Sequence, residues 1–463
     1  MGVGVDAGRR RWARASAALV AVVLGTGCVP AVEEKPLASL VGTVSAASTL
    51  AGCDRAAERI VATADTHLDP ACLYTAGVEV RASDVVLDCR GARIEDPTGS
   101  AGRGIWVVAP ADVPLANVTV RNCVLKGFLN NVRVSREGFR ALAPGAEYDA
   151  AFSNVVIENS HLYASRGSGV FVDAYVTGVT LRELEIAGSG SVGVYLEAGS
   201  RDNVVERSRI HRNGYADVVP DGLPITIGGL SLRYESTGRE GIAIDGSRGN
   251  VVRDNVLSGN SAGGIFLYKN CGEYATQRPA QWWPRRYGAD DNVIEGNLIH
   301  HEKHGVWIGS RMNENQLFMD CSDPAYVSNA FERVHLDYAA RNVVRGNAFH
   351  EVPYGVRVED DGARVEDNWF TGADPAALAV LIGTQRRTAL LGRPVDGSVV
   401  TGNHSQLPDP SPWRWIHPHT GTVFADNRVH GSVLDAGTPA PLVAGVQPPV
   451  NPFLFVIRFW AAP

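Results

Sequence analysis

The chain has only 3 methionines in 463 residues and, beyond its N-terminus, no apolar run long enough to cross a bilayer as a helix. An integral α-helical membrane protein is excluded on that count. It also lacks a basic surplus: the formal charge is -7 and the pI near 6.0, so the electrostatic footprint of a nucleic-acid binder is missing. No pair of cysteines has the CxxC spacing, which argues against a structural zinc site. Low hydrophobicity is not among the shortages. At 45% hydrophobic and 20% charged residues the composition is that of a folded globular chain with a large core.

The N-terminus reads as a targeting segment. Arg9, Arg10, Arg11 and Arg14 precede an apolar stretch over 17–24 and then Gly25-Thr26-Gly27-Cys28. This resembles a bacterial lipoprotein signal, which implies lipidation of Cys28 as the mature N-terminus. Cleavage after Val29-Pro30-Ala31 is the alternative, that of a plain secretory signal. Either way the chain is exported, to the periplasm, the outer membrane or the medium, with any membrane attachment through the lipid alone. Loss of residues 1–27 removes Asp6 and four arginines, taking the charge from -7 to -10. Export permits disulfides among Cys53, Cys72, Cys89, Cys123, Cys271 and Cys321. Cys271–Cys321 is the expected pair, because both lie in one loop-rich region.

Repeats decide the fold. The phrase Asn-Val-x-x-x-Asn begins at Asn117, Asn154, Asn250, Asn292 and Asn342, with degenerate copies at Asn203, Gly178, Ala363 and Ser398. A second phrase, Gly-apolar-x-apolar, starts at Gly169, Gly193, Gly241, Gly264, Gly305 and Gly355. Both are short period-two strands bounded by turn residues. Without an insertion the second phrase returns after 24 residues (169 to 193) or 23 (241 to 264). That is too long for a hairpin, and no helical pattern supports a βαβ unit. A coil of this length with several short strands predicts an all-β, right-handed parallel β-helix, its coils stacked about 4.8 Å apart. Asn122, Asn159, Asn255, Asn297 and Asn347 are then expected to stack as an internal ladder that satisfies buried turn groups.

The expected organisation is a signal over 1–27, a linker and cap over 28–74, the solenoid over 75–430 and a C-terminal cap or tail over 431–463. Residues 54–64 have helical spacing at Ala57, Ile60 and Val61 with Asp54 as N-cap, and are predicted to form a capping helix. The pattern resembles the pectate-lyase-like parallel β-helix superfamily, including its periplasmic copper-protein and alginate-epimerase repeats. The resemblance spans about residues 75–430 and implies an enzyme acting on polysaccharide, here a monomer.

One sheet face carries unusual chemistry. With glycine as place one, places two and four point inward and places three and five outward. Place three reads Phe171, Tyr195, Ala243, Phe266, Trp307 and Arg357; place five reads Asp173, Glu197, Asp245, Tyr268, Gly309 and Glu359. Such an aromatic stripe needs a covering loop or a stacked ligand such as a sugar. Insertions over 213–238, 272–291 and 312–341 flank this sheet, and a groove between them is the expectation. Tyr195, Phe266, Tyr268 and Trp307 would bind sugar, with Arg285 and Arg286 contributed by the second insertion. Asp173, Glu197 and Asp245 would repel at neighbouring-strand spacing unless Lys269, Arg311 or a calcium ion sits among them.

Uronate polymers are cleaved by β-elimination, in which a base takes the proton α to a carboxylate that must first be neutralised. The stretch from Glu240-Gly-Ile-Ala-Ile-Asp245 through Leu267-Tyr-Lys269-Asn to 305–311 resembles the chondroitinase-B and alginate-lyase group. That resemblance implies Lys269 as base, Arg311 as acid or carboxylate partner, and Glu240 and Asp245, with Glu197 beside them, as calcium ligands. His304 and His301 could assist as acid or base. Polygalacturonase-type hydrolases match only through Asp290-Asp291 and Asp360-Asp361, and the epimerase Asp-Pro-His-Asp is absent. Epimerisation shares the proton-abstraction step and remains an alternative, as does a non-catalytic glycan-binding scaffold. His211, His300 and His350 share one place in three coils and read as a stacked row.

Overall fold

The computed structural model describes residues 48–216, 223–227, 230–235, 238–270, 283–310, 312, 315–316, 325–336, 338–416, 421–433, 440–441 and 456–459. They form a right-handed parallel β-helix. One sheet has 13 parallel strands, from Ile60–Ala62 to Ala440–Pro441, and a larger sheet of 24 strands makes the remaining walls. The larger sheet folds at a corner. Phe152–Tyr163 and Val179–Ala187 cross it as single long strands, whereas the next coil breaks into Val204–Glu206 and Arg209–His211. Inward places are filled by Val170, Val172, Val194, Leu196, Ile242, Ile244, Ile265, Leu267, Val306 and Ile308, all fully buried.

The turns follow a two-residue rule. A residue in the left-handed region is followed by a small polar one whose side chain caps the neighbouring coil. At one corner the left-handed places are Arg207, Asp254, Gly296, Gly346 and Asp367. The ladder runs through the next residue of each, from Ser208 to Asn255, Asn297, Asn347, Asn368, Asn403 and Asn427, with each backbone N–H donating to the following Oδ1 at 2.9–3.1 Å. A parallel ladder joins Asn203, Asn250, Asn292 and Asn342. Asn122 and Asn159 do not belong to the first ladder as expected. Both have positive φ and occupy the left-handed place, one residue earlier. At a third corner the ladder Asn213–Asn260 ends on a carboxyl, with Asn260 Nδ2 donating to Glu302 Oε1 at 2.6 Å.

The predicted capping helix is not formed. Only Cys53–Arg55 makes a single 3-10 turn, and Ile60–Ala62 is already a strand of the 13-stranded sheet, pairing with Val78–Val80. The coil therefore begins near Thr49–Ala51, before residue 75. Helical spacing of small apolar residues misled here because Ile60 and Ala62 also satisfy a strand's period of two. Disulfides join Cys53 to Cys72 and Cys89 to Cys123. Cys271 and Cys321, the expected pair, and Cys28, the expected lipidation site, lie outside the described residues. Val456–Phe459 pairs antiparallel with Leu230–Glu235, so the C-terminal segment reaches the first insertion. Among the described residues no helix is long and apolar enough to cross a membrane.

On the outside of the larger sheet one column alternates in sign from coil to coil. Asp88, Arg121, Glu158, Arg182, Glu206, Arg253, Glu295, Arg345 and Glu366 are successive cross-strand neighbours. Ion pairs join Arg121 to Asp88 at 3.0 Å, Arg182 to Glu158 at 2.5 Å, Arg253 to Glu206 at 2.5 Å and Arg345 to Glu295 at 2.6 Å. His300 and His350 are cross-strand neighbours, but Ser258 separates them from His211, so the expected stacked row of three is interrupted.

Candidate functional site

The outward column of the 13-stranded sheet runs Glu79, Trp106, Arg133, Phe171, Tyr195, Ala243, Phe266, Trp307 and Arg357. Its register from Phe171 onward is the one read from the glycine phrase, but its exposure changes midway. Trp106, Arg133 and Phe171 are half-buried. Tyr195 falls to 9% exposure, and Ala243, Phe266, Tyr268 and Trp307 are at 1% or less. These last residues form a second apolar cluster with Val192 and Ala262, outside the coil's own core. The stripe expected as an open sugar platform is therefore covered over Phe266, Tyr268 and Trp307. The open stretch lies further toward the N-terminus, ending where Phe171 stacks on Tyr195 at 4.9 Å with nearly parallel rings.

The acid column sits where open face meets covered face. Asp173, Glu197 and Asp245 follow one another on adjacent strands, and each is buried. Among the described residues the cations that meet them are arginines. Arg133 grips Asp173 through two bonds of 2.7 and 2.8 Å. Arg285, reaching in from the second insertion, pairs with Glu197 and stands 3.8 Å from Asp245. Asp245 also accepts from the Tyr195 hydroxyl at 2.5 Å and from the Asn270 N–H at 2.6 Å. Burial drives the Glu197 carboxyl up to about 7; Arg285 opposes the shift and Asp245 reinforces it. That leaves one carboxyl able to gain or lose a proton near neutrality, a property suited to acid–base work.

The second insertion is anchored by aromatic contacts. Trp283 packs edge-on to Phe139 at 5.1 Å, with Arg285 stacked on it at 3.8 Å, and Tyr287 meets Tyr148 and Tyr175 at 6.1 and 6.3 Å. Arg286 is exposed and pairs with Glu147 at 3.1 Å. The two arginines expected to meet substrate thus hold protein carboxylates.

Of the expected catalytic set, Lys269 and His304 are among the described residues, and they do not meet. Lys269 is buried, its ammonium 5.3 Å from the Tyr338 ring centre. His304 is also buried, stacked on Tyr354 at 5.0 Å, and burial with nearby Arg357 holds its imidazole well below the ordinary range. Ile265 pairs with Val306, which sets His304 beside Gly263. That is six residues before Lys269, roughly 20 Å of strand. Arg311 lies outside the described residues.

The proposed calcium ligands do not fit a cation site. Glu240 and Asp245 are five residues apart on one strand, roughly 16 Å of backbone. Glu240 is held by the Tyr268 hydroxyl at 2.9 Å and by Arg239 at 3.2 Å, while Asp245 and Glu197 have the donors just described. A separate cluster of Cys53, Asp69 and Cys72 has its two sulfurs in a disulfide.

Trp106 and Arg133 escaped the sequence analysis as site residues. Gly104-Ile-Trp106-Val carries the glycine phrase and was findable; Asn131-Val-Arg133-Val lacks the glycine and was not.

Among solved structures, the chain is similar to the A-module of mannuronan C-5 epimerase AlgE4 of Azotobacter vinelandii, at 14% identity and TM-score 0.46, over 85% of this chain and 94% of that one. It is similar to DFA-IIIase from Arthrobacter chlorophenolicus A6 at 10% identity and TM-score 0.47, over 82% and 88%. An alginate lyase from Paenibacillus sp. str. FPU-7 matches at 11% and TM-score 0.37, over 68% and 93%. None of these likenesses lends this chain its chemistry. No curated protein matches the sequence. Residues 77–277 match the family model described as a right handed beta helix region, and the parallel ladder carries that coil on to Ala440–Pro441.

Proposed function

We propose that the chain is an exported enzyme that cleaves a uronic-acid polysaccharide by β-elimination, with Glu197 as its proton-transfer group. The observation that carries this reading is a buried carboxyl, pushed up to about 7, at the inner end of an open strip of arginine and aromatic side chains. Phe171, backed by Tyr195 and Arg133, offers apolar surface to sugar, and Arg133, which binds Asp173 through Nε and Nη2, keeps its Nη1 edge for a sugar carboxylate. Ionised Glu197 takes the proton α to that carboxylate. The Cα–H electrons form the new double bond, the glycosidic bond breaks, and the proton is returned to the leaving oxygen. Lys269, buried against Tyr338 on the covered half of the same face, is the alternative base. The two disulfides fit the oxidising compartment that export implies.

Hydrolysis is the second reading, because carboxylates on adjacent strands stand at about the 5 Å spacing of retaining glycosidases. One experiment separates the readings: incubate the purified protein with alginate, pectate, chondroitin and carboxyl-reduced controls. Unsaturated ends, seen as new ultraviolet absorbance, support elimination. New reducing ends without that absorbance support hydrolysis, and altered uronate stereochemistry without cleavage supports a C5-epimerase. Binding with no chemistry on any polymer leaves the scaffold reading and removes the enzyme.

A further inference from the structure

Most arginines around the outer face of the 13-stranded sheet have an acid partner. Arg81 meets Glu79 and Glu137, Arg133 meets Asp173, and Arg357 meets Glu359. Arg103 and Arg59 are exceptions. Among the described residues neither is in an ion pair, and the bond between them runs from Arg59 Nη2 to the Arg103 carbonyl at 3.4 Å. The Arg103 guanidinium lies 3.7 Å from the centre of the Trp106 ring. Trp106 is in turn fixed, its indole N–H donating to Ser135 Oγ at 2.5 Å. Burial and the neighbouring Arg133 both disfavour the Arg103 charge. A guanidinium stacked on an aromatic plane keeps its N–H edge available, and that fork matches a carboxylate. An arginine held rigid, partly desolvated and lacking its own acid is a site waiting for an anion.

Position gives the anion its identity. Trp106 is three strands from Tyr195, hence about 14 Å along the same face, a span of a few sugar rings. Among the described residues nothing apolar closes this stretch: Arg103, Trp106, Arg133 and Phe171 are all half-buried and Arg59 is exposed.

We infer that Arg103, seated on Trp106 with Arg59 beside it, is a subsite for the carboxylate of a uronate a few residues away from the one that reacts at Glu197. This rests on the reading of the chain as an enzyme of acidic polysaccharide. The site selects chain charge at a distance from the chemistry, and therefore sets preference for polymers with consecutive acidic residues.

The test is binding, measured by calorimetry with uronate oligosaccharides and with the same oligosaccharides reduced to alcohols at their carboxyls. The wild-type protein should favour the acidic set. Arg103→Gln should lose about tenfold in affinity for it, the loss of one charged hydrogen-bond pair, while reduced oligosaccharides bind both proteins equally. Trp106→Phe keeps a ring under the guanidinium and should fall between the two. Equal binding of the acidic set by wild type and Arg103→Gln overturns the inference and leaves the enzyme reading standing. A wild-type protein that does not separate acidic from reduced oligosaccharides removes the acidic-substrate reading itself, and the subsite falls with it.

Discussion

Along the back of the coil, charge changes sign at every step from Asp88 to Glu366; along the front, Asp173, Glu197 and Asp245 put three acids on consecutive strands. Strand spacing is the same in both columns, about 4.8 Å, so the same Coulomb term acts in each. The back column satisfies it locally, with eight of the nine side chains paired to the coil next door and Glu366 held by Arg364 on its own strand. The front column instead takes a strand arginine, Arg133, and an arginine from an insertion, Arg285. A chain that can alternate sign over nine coils has no structural need for three stacked acids. Their retention, buried and at the end of the open strip, points to chemistry.

The largest effect expected is on turnover. Glu197→Gln keeps the shape and removes the titrating proton, so turnover should fall by about 10²- to 10⁴-fold while the melting temperature holds or rises. Retained turnover would end the argument from the acid column. For the wild type, a base must be ionised to act, so kcat/KM should climb with pH through about 7 and level off above it. The next largest effect is on folding. Arg285→Met leaves Glu197 and Asp245 buried without their cation and should destabilise the protein by about 3–5 kcal/mol. Adding Glu197→Gln to that variant should restore part of the loss in urea unfolding. If Arg285→Met melts like the wild type, the imported cation is not what holds the column.

Much of this comparison was legible in the sequence. The charged residue of the asparagine phrase reads Arg121, Glu158 and Arg182 at the fifth place and Glu206, Arg253, Glu295, Arg345 and Glu366 at the fourth, so the alternation lies in the repeat once its one-residue shift is allowed for. The front column's register was equally plain, because glycine marks its start and period two fixes its faces. The asparagine ladder was only half legible: asparagine serves both the left-handed place and the ladder place, so identity alone could not assign Asn122 and Asn159. The partner of Glu197 was not legible at all. Arg285 is 88 residues away in an insertion, and nothing in a repeat pattern specifies which acid a loop will reach.

A raised carboxyl is not by itself a sign of chemistry, and Glu302 is the control. It occupies a ladder place, accepts from Asn260, has its other oxygen unpartnered, and is driven up to about 8 by burial. In the unfolded chain the same group titrates near 4.5. Below that pH both states hold the proton and folding carries no penalty. As pH rises toward about 8 the unfolded state alone loses it, and stability falls. Glu302→Gln should therefore gain nothing at pH 4 and on the order of a few kcal/mol by pH 8, read as a pH-dependent difference in urea midpoints, with turnover unchanged. A flat difference would mean that Glu302 is ionised in the fold.

The smallest effect is the most direct challenge to the comparison. Arg182→Glu writes the front arrangement onto the back, stacking three acids at the places of Glu158, Arg182 and Glu206 with no insertion to supply a cation. Arg182 keeps 39% of its side chain exposed, so solvent screens the repulsion and the loss should be about 1–2 kcal/mol at low salt. The loss should shrink as salt is added and leave turnover untouched. A neutral result would show that a solenoid tolerates stacked acids anywhere on its surface, and the acids at Glu197 would lose their claim to a special reason for being there. A loss near that size, absent from activity, leaves the front column as the place where the chain accepts electrostatic strain and imports arginines to hold it.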